Sequence, residues 1–419
     1  MTGTTVVIGA GAAGLSVARE LKRSGWAVVI LEREAALGAS WRGRYARLRL
    51  NTVRWMSGLP GGRLPRSLGR WVPRDAYVAH LERYASQAGL EVRTHTTAHR
   101  VDREGGRWVV RTGEEAFSAD VVVVAAGYDR IPRDPDWPGK DTFPGGLVHA
   151  SSHHDAAPYV GCDVLVAGAG STGLEIANDL AEGGASRVRL AQRTPPNFVS
   201  REWLGLPLTP LALIDRVSPA FVTDAIGRIL QRLQHGDLTA FGMPPAEVGM
   251  GTRLREGGRG PVIVDGFVEA LRAGRVEVVG AVERIEDEQV VLADGRRITP
   301  DAIIAATGYE RGLEELVGHL GVLDERGRPR TVKGALDPAN PGLFFLGYTV
   351  PLSGQLFEIA RDARRIVRTA TRQRPAVAIE ATTGPEALAE AHGSLLVRLR
   401  RGAMAAAGAS AVQGRPSTG

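Results

Sequence analysis

The run Val6-Val7-Ile8-Gly9-Ala10-Gly11-Ala12-Ala13-Gly14, followed after a helical stretch by Ala27-Val28-Val29-Ile30-Leu31-Glu32, decides the fold. A short apolar run of this kind reads as a buried parallel strand, and Gly9-x-Gly11-x-x-Gly14 as the tight turn leading into a helix. Side chains at these glycines would hold the backbone away from a pyrophosphate, whose charge meets the unpaired N–H groups of the helix N-terminus. Glu32 stands at the end of the second strand, where a carboxylate accepts from a ribose hydroxyl. The stretch predicts a dinucleotide-binding βαβ unit.

The device occurs twice. Asp163-Val164-Leu165-Val166-Ala167-Gly168-Ala169-Gly170-Ser171-Thr172-Gly173 repeats it, and the next strand, Arg187 to Ala191, ends in Gln192-Arg193-Thr194. No carboxylate stands where Glu32 stood. An acid there would repel a ribose 2′-phosphate, whereas Arg193 pairs with one bidentately, so the second unit reads as built for NADPH. The runs Asp120 to Tyr128 and Asp301 to Tyr309 share a pattern and suggest equivalent crossings between domains. The expected fold class is α/β, with two Rossmann-like dinucleotide-binding domains, the second inserted into the first. Residues 1–155 and 300–385 form the first domain and 156–299 the second, with a helical insert at about 201–260; residues 404–419 form a disordered tail.

Length and charge bound the function. A chain of 419 residues buries two substantial cores. The formal charge of +6 is almost all arginine, spread without a dense basic run, which argues against nucleic acid as a partner. Cys162 is the single cysteine, so no redox pair exists, and it is expected to be a buried, inert thiol at a strand start. His149, His153 and His154 lie in a connector without cysteines or spaced carboxylates, and no metal is expected there. Apolar runs are too short to cross a bilayer and the N-terminus reads as a strand, so the chain is expected to be soluble and cytoplasmic. Monomer and homodimer both stay open.

Between the two devices, residues 37–57 read as a long loop that reaches from the first unit toward the cofactor's reactive end. Pro73 to Ala88 reads as an amphipathic helix carrying Tyr77, Leu81 and Tyr84 on one face, with strands around Ala98 to Val101 and Trp108 to Arg111. Residues 282–298 read as a hairpin turning at Ala293-Asp294-Gly295. Gly342 to Gly347 is the last strand and Gly354 to Thr371 the last long helix, whose N-terminal dipole is expected to face the polar end of a bound ring such as a flavin.

With these residues laid out, the chain resembles the class B flavoprotein monooxygenases, in the flavin-containing monooxygenase group with the plant YUCCA-type enzymes. The resemblance runs from about Thr4 to Thr371 and also covers Gly38-Ala39-Ser40-Trp41, Phe143-x-Gly145-x-x-x-His149 and Ala306-Thr307-Gly308-Tyr309. It implies FAD at the first motif, NADPH at the second, a C4a-(hydro)peroxyflavin, and insertion of one oxygen atom from molecular oxygen into a small organic substrate. His153 stands where the family carries an aromatic residue. Asn51-Thr52-Val53-Arg54-Trp55-Met56-Ser57 is similar to the stretch whose asparagine lies beside the flavin, which makes Asn51 the candidate catalytic residue. The candidate cofactor-binding set is Gly9, Gly11, Ala13, Gly14, Glu32, Arg33, Ser40, Trp41, Ala98 and Ala126 in the first part of the chain. It continues with Gly168, Gly170, Ser171, Thr172, Gly173, Arg193, Thr194, Gly308, Gly347 and Gln355.

Several reactions fit this reading: N- or S-oxygenation, oxidative decarboxylation of a 2-oxo acid such as indole-3-pyruvate, and Baeyer–Villiger insertion. An NADPH-dependent flavin oxidoreductase without oxygen transfer and a non-catalytic redox sensor are the alternatives from other classes.

Overall fold

The computed structural model describes residues 3–373 apart from 114, 211, 214–217, 258–259 and 265. Two parallel sheets organise it. In the first, β1 (Thr4–Ile8), β2 (Ala27–Leu31), β3 (Glu91–Arg93), β4 (Val121–Val124) and the last strand, Leu343–Phe345, stand in the order last-β4-β1-β2-β3. Helix α1 (Ala12–Arg23) crosses from β1 to β2 as the motif requires. The all-valine strand β4 is buried on both sides, as expected of a central parallel strand.

The second sheet repeats this arrangement. It contains β5 (Gly146–His149), β6 (Asp163–Ala167), β7 (Arg187–Gln192), β8 (Glu277–Gly280) and β9 (Ala302–Ala305), ordered β8-β7-β6-β9-β5 and all parallel. Thus β9 lies beside β6 as β4 lies beside β1, and the two similar Asp-headed runs are equivalent strands. Their leading aspartates do the same work: Asp120 accepts from the Thr4 N–H and Asp301 from the Asp163 N–H, each at 2.7 Å.

Strand pairing sets two strands from within the expected first-domain limits in the second sheet. The expected limits at 155/156 and 299/300 assign both β5 and β9 to the first domain, but each is hydrogen-bonded into the second sheet. A parallel sheet of this size recruits strands from outside the βαβ core, and sequence spacing does not reveal which sheet they join.

Each sheet carries helices on one face and a three-stranded antiparallel meander on the other. The first meander is Arg100–Glu104, Arg107–Arg111 and Ala116–Ala119; it buries Val101, Trp108 and Val110. The first of these strands starts at Arg100, so Ala98 lies just before it rather than within it. The second meander is Val282–Glu286, Gln289–Leu292 and Arg297–Ile298, three strands where a hairpin is expected. Its additional turn uses Asp287 at φ 53°, without a glycine to mark it.

Helix α2 (Ala39–Arg42) is a single turn in the long loop, and α3 (Arg74–Gln87) buries Tyr77, Leu81 and Tyr84 as its pattern requires. The second crossover helix is α4 (Ser171–Glu182). The region 201–260 holds the antiparallel pair Glu202–Trp203 and Leu206–Pro207, then α5 (Ala220–His235) and α6 (Met250–Gly257). After α7 (Phe267–Arg272) the last long helix is α8 (Gln355–Arg372). Leu356, Ile359, Ala363, Ile366 and Ala370 are buried along one stripe of α8, in the same core as α1. Burying each large aliphatic side chain contributes about 1.5–3 kcal/mol. Cys162 is half-buried before β6, not buried as expected, because Gly161 and Ser186 beside it lie in surface turns. Residues 374–385 and the tail at 404–419 lie outside the described residues.

Candidate active site

The three glycines of each motif have three separate tasks. Gly9 has φ +105°, and a Cβ built on it would lie 2.5 Å from the Ala125 carbonyl oxygen, so this glycine makes the tight turn beside β4. A Cβ on Gly14 would lie 1.8 Å from the Gly9 carbonyl oxygen, which keeps helix and strand close. Gly11 differs: its backbone is extended and a Cβ there meets nothing within 4 Å. The second motif repeats all three environments at Gly168 (2.4 Å from the Ala306 oxygen), Gly170 (open) and Gly173 (1.8 Å from the Gly168 oxygen). An open cradle at the middle glycine, at a helix N-terminus, fits a pyrophosphate in both units.

Around the first cradle the chain gathers most of the candidates. Glu32 is buried; its Oε2 accepts from the Ala10 N–H at 2.7 Å and its Oε1 from the Glu34 N–H at 3.0 Å. Two backbone donors thus aim the carboxylate at the mouth of the turn. Gly38 donates to the Ala10 carbonyl at 3.2 Å, which brings α2 with Ser40 and Trp41 to the same edge; Trp41 packs edge-on against Tyr77. Thr96 donates to the Glu32 carbonyl, so the segment leading to buried Ala98 passes alongside. Ala126 follows β4 next to Gly9. From the far end of the chain, Gly347 (φ +91°) faces Ala13, and its carbonyl accepts from the Gln355 side chain at 2.7 Å. Arg33 is exposed and pairs with Glu34 at 2.9 Å.

At the second cradle, Ser171 and Thr172 open α4, and Arg193 and Thr194 are exposed just past β7. Gly308 lies on the return crossing after β9, two residues past Ala306, which abuts Gly168 and Gly173; its carbonyl oxygen lies 3.0 Å from His149 Nε2. Burial holds the His149 imidazole below its ordinary range.

The loop at residues 44–51 ties the two sheets together. Arg44 donates to the Tyr309 hydroxyl and to Asp129, each at 3.0 Å, and covers the Tyr309 ring. Tyr45 is buried in the core of the second sheet and donates to the Glu175 carboxylate; burial pushes its phenol above the ordinary range. Arg47 bonds Asp179 at 3.1 Å and Glu182 at 2.6 Å on α4. Asn51 follows directly. Its Oδ1 accepts from Arg201 Nε at 3.1 Å and its carbonyl from the Thr209 hydroxyl at 3.4 Å. On the other side its neighbour Thr52 abuts Gly354, where a Cβ would lie 2.5 Å from the Thr52 hydroxyl. Asn51 therefore sits between the N-terminus of α8 and the insert of the second domain. Beside it a cavity of about 340 Å³ is lined by Arg47, Arg49, Pro73, Glu175, Asn178 and Arg201. Sequence reasoning misses Tyr45, Glu175, Asp179 and Arg201 as site residues, and no local motif marks them.

Comparison with known proteins bears on this geometry. The family model described as pyridine nucleotide-disulphide oxidoreductase matches residues 6–211. The indole-3-pyruvate monooxygenase YUCCA1 of Oryza sativa subsp. japonica is 31% identical over 372 residues, 85% of this chain and 90% of its own. The chain belongs to the class B flavin monooxygenases. Within them it falls in the flavin-containing monooxygenase and YUCCA-type group, and it is a flavin-dependent monooxygenase that uses FAD and NADPH. The flavin-containing monooxygenase from Stenotrophomonas maltophilia superposes with a TM-score of 0.68 at 25% identity, covering 88% of this chain and 98% of that one. OTEMO in complex with FAD and NADP, at 18% identity and a TM-score of 0.65 over 89% of this chain and 85% of that one, shares the fold. Disulfide chemistry finds no support in this flavin monooxygenase, whose one cysteine has no partner thiol. No helix among the described residues is long and apolar enough to cross a membrane. Among the same residues no three His, Cys, Asp or Glu side chains cluster to hold a metal ion.

Proposed function

We propose that this flavin monooxygenase inserts one oxygen atom into a small organic substrate, with oxidative decarboxylation of a 2-oxo acid such as indole-3-pyruvate as the first reading. FAD, held at the first cradle and reduced by NADPH, would supply the oxygen chemistry. The chain's own residues bind, orient and exclude water. Gly9, Gly11 and Gly14 with Glu32 hold the FAD, and Gly168, Gly170 and Gly173 with Arg193 hold NADPH. The observation that carries the reading is the seat of Asn51, between α8 and the insert, fixed from both sides. There it donates an amide hydrogen bond without supplying an acidic proton that would hasten loss of peroxide. The relative's printed activity on indole-3-pyruvate supports this reading. The stretch Asn51 to Ser57 favours N- or S-oxygenation as the second reading.

The test is NADPH oxidation with aryl-pyruvates, amines, thioethers and ketones under isotopically labelled oxygen, with products identified by mass. One labelled oxygen in a decarboxylated arylacetic acid supports the first reading; a labelled N- or S-oxide replaces it with the second. A labelled ester from a ketone assigns Baeyer–Villiger insertion, and NADPH oxidation that yields no labelled product with any class overturns oxygen transfer.

A further inference from the structure

We propose that Arg201 is a positioning residue that sets the sense in which Asn51 presents its amide. The inference rests on the reading of Asn51 as the amide donor beside the flavin. The two ends of an asparagine amide have nearly the same size, so packing alone does not choose between them. Chemistry does. A guanidinium has five N–H donors and no acceptor, so only the Asn51 carbonyl oxygen can face the Arg201 Nε, 3.1 Å away. The amide NH₂ is thereby turned from Arg201. Reversing the amide would set two donors against each other at a site where Arg201 is only 9% exposed.

The surroundings hold the backbone while Arg201 holds the amide. Thr209 binds the Asn51 carbonyl, and Thr52 is wedged against Gly354. The segment that carries Arg201 is itself strapped to the first domain's loop. Arg70 donates to Glu202 and to the Gly205 carbonyl, each at 2.7 Å. Arg201 belongs to the insert of the second domain, so the donor at the flavin edge is set only when that insert is seated. A free amide would spend part of its time with a carbonyl turned toward the site, where it cannot donate.

The experiment uses holoenzyme with NADPH and oxygen alone, and reads hydrogen peroxide release without substrate. Anaerobic flavin reduction, FAD content and thermal unfolding are measured beside it. Arg201→Leu is expected to raise peroxide release on the order of tenfold, within the range for residues sharing a hydrogen bond, with FAD content and anaerobic reduction unchanged. Arg201→Lys, which keeps a donor and the charge, restores part of the loss. The double variant Asn51→Leu/Arg201→Leu leaks no faster than Asn51→Leu alone. Asn51→Asp keeps an acceptor for Arg201 but has no amide, so it unfolds no earlier than wild type and leaks as Asn51→Leu does. If Asn51→Leu does not leak, the reading of Asn51 itself fails and the proposal falls with it. If Asn51→Leu leaks while Arg201→Leu does not, or if their effects multiply in the double variant, Arg201 acts independently and the proposal alone is overturned. Loss of FAD in Arg201→Leu transfers the decision to Arg201→Lys and Asn51→Asp. A stable, FAD-loaded Asn51→Asp that does not leak overturns the proposal.

Discussion

His153 Nε2 and Asp179 Oδ2 lie 2.9 Å apart where the first domain's loop locks onto the second domain's helix. Arg47 of that loop reaches the other oxygen of the same carboxylate at 3.1 Å. His153 thus combines an aromatic contact, with the Tyr159 ring at 5.9 Å, with a polar one. Burial works to raise the Asp179 carboxyl, but the hydrogen bonds from His153 and Arg47 outweigh it and hold the group below the ordinary aspartate range. A carboxyl lowered on folding contributes stability that is complete above its unfolded value and disappears as pH falls through the lowered one. Asp179→Asn should therefore cost about 1–3 kcal/mol near neutral pH. The gap to wild type should narrow below about pH 4. Urea unfolding across pH checks this; a gap that widens in acid contradicts it.

The tasks of the middle and last motif glycines separate by mutation. Gly14→Ala drives a methyl to 1.8 Å from a backbone oxygen, so it should destabilise the fold itself by about 1–3 kcal/mol or more. Gly11→Ala meets no protein atom and has a backbone that alanine adopts. Its apoprotein should unfold like wild type, while FAD affinity drops about tenfold or more, equivalent to roughly 1.4 kcal/mol. Flavin fluorescence titration measures the second effect, and undiminished FAD binding by Gly11→Ala would place the pyrophosphate elsewhere.

The role proposed for Arg193 in coenzyme choice starts from its place, exposed just past β7, where an NAD site carries an acid. A charge-assisted pair with a phosphate contributes about 1.5–3 kcal/mol. Arg193→Ala should raise the KM for NADPH about ten- to a hundredfold and leave that for NADH nearly unchanged. An equal rise for both coenzymes would mean that Arg193 supports the strand end rather than reading the 2′-phosphate.

For Asn51 the expected phenotype is uncoupling. Hydride transfer needs nicotinamide stacked on flavin, which the amide affects little. Asn51→Leu should keep FAD and oxidise NADPH at close to the wild-type rate, yet release hydrogen peroxide in place of oxygenated product. Loss of a preorganised donor where charge develops costs about 2.7–4 kcal/mol, an upper guide here. Peroxide and product measured against NADPH consumed decide the matter; a fully coupled variant would reduce Asn51 to a loop residue.

What could be read from the sequence was local in the chain. The apolar strand, the glycine turn and the strand-end Glu32 or Arg193 lie within a short span, and backbone sterics bind them to one conformation, so both nucleotide units were legible. The paired Asp-headed strands were legible for the same reason, as was the buried face of α3. The tertiary structure alone decided what depends on contacts between distant segments. It placed β5 and β9 in the second sheet through hydrogen bonds that carry no side-chain signature. It formed an additional meander turn at Asp287, where the positive φ falls on a residue that does not announce it. Above all it set Arg201 against Asn51 across 150 residues, and Tyr45 and Arg47 against Glu175 and Asp179. Each of these pairs joins a loop to another domain, and neither partner has a spacing or period of its own until the two sheets are packed together.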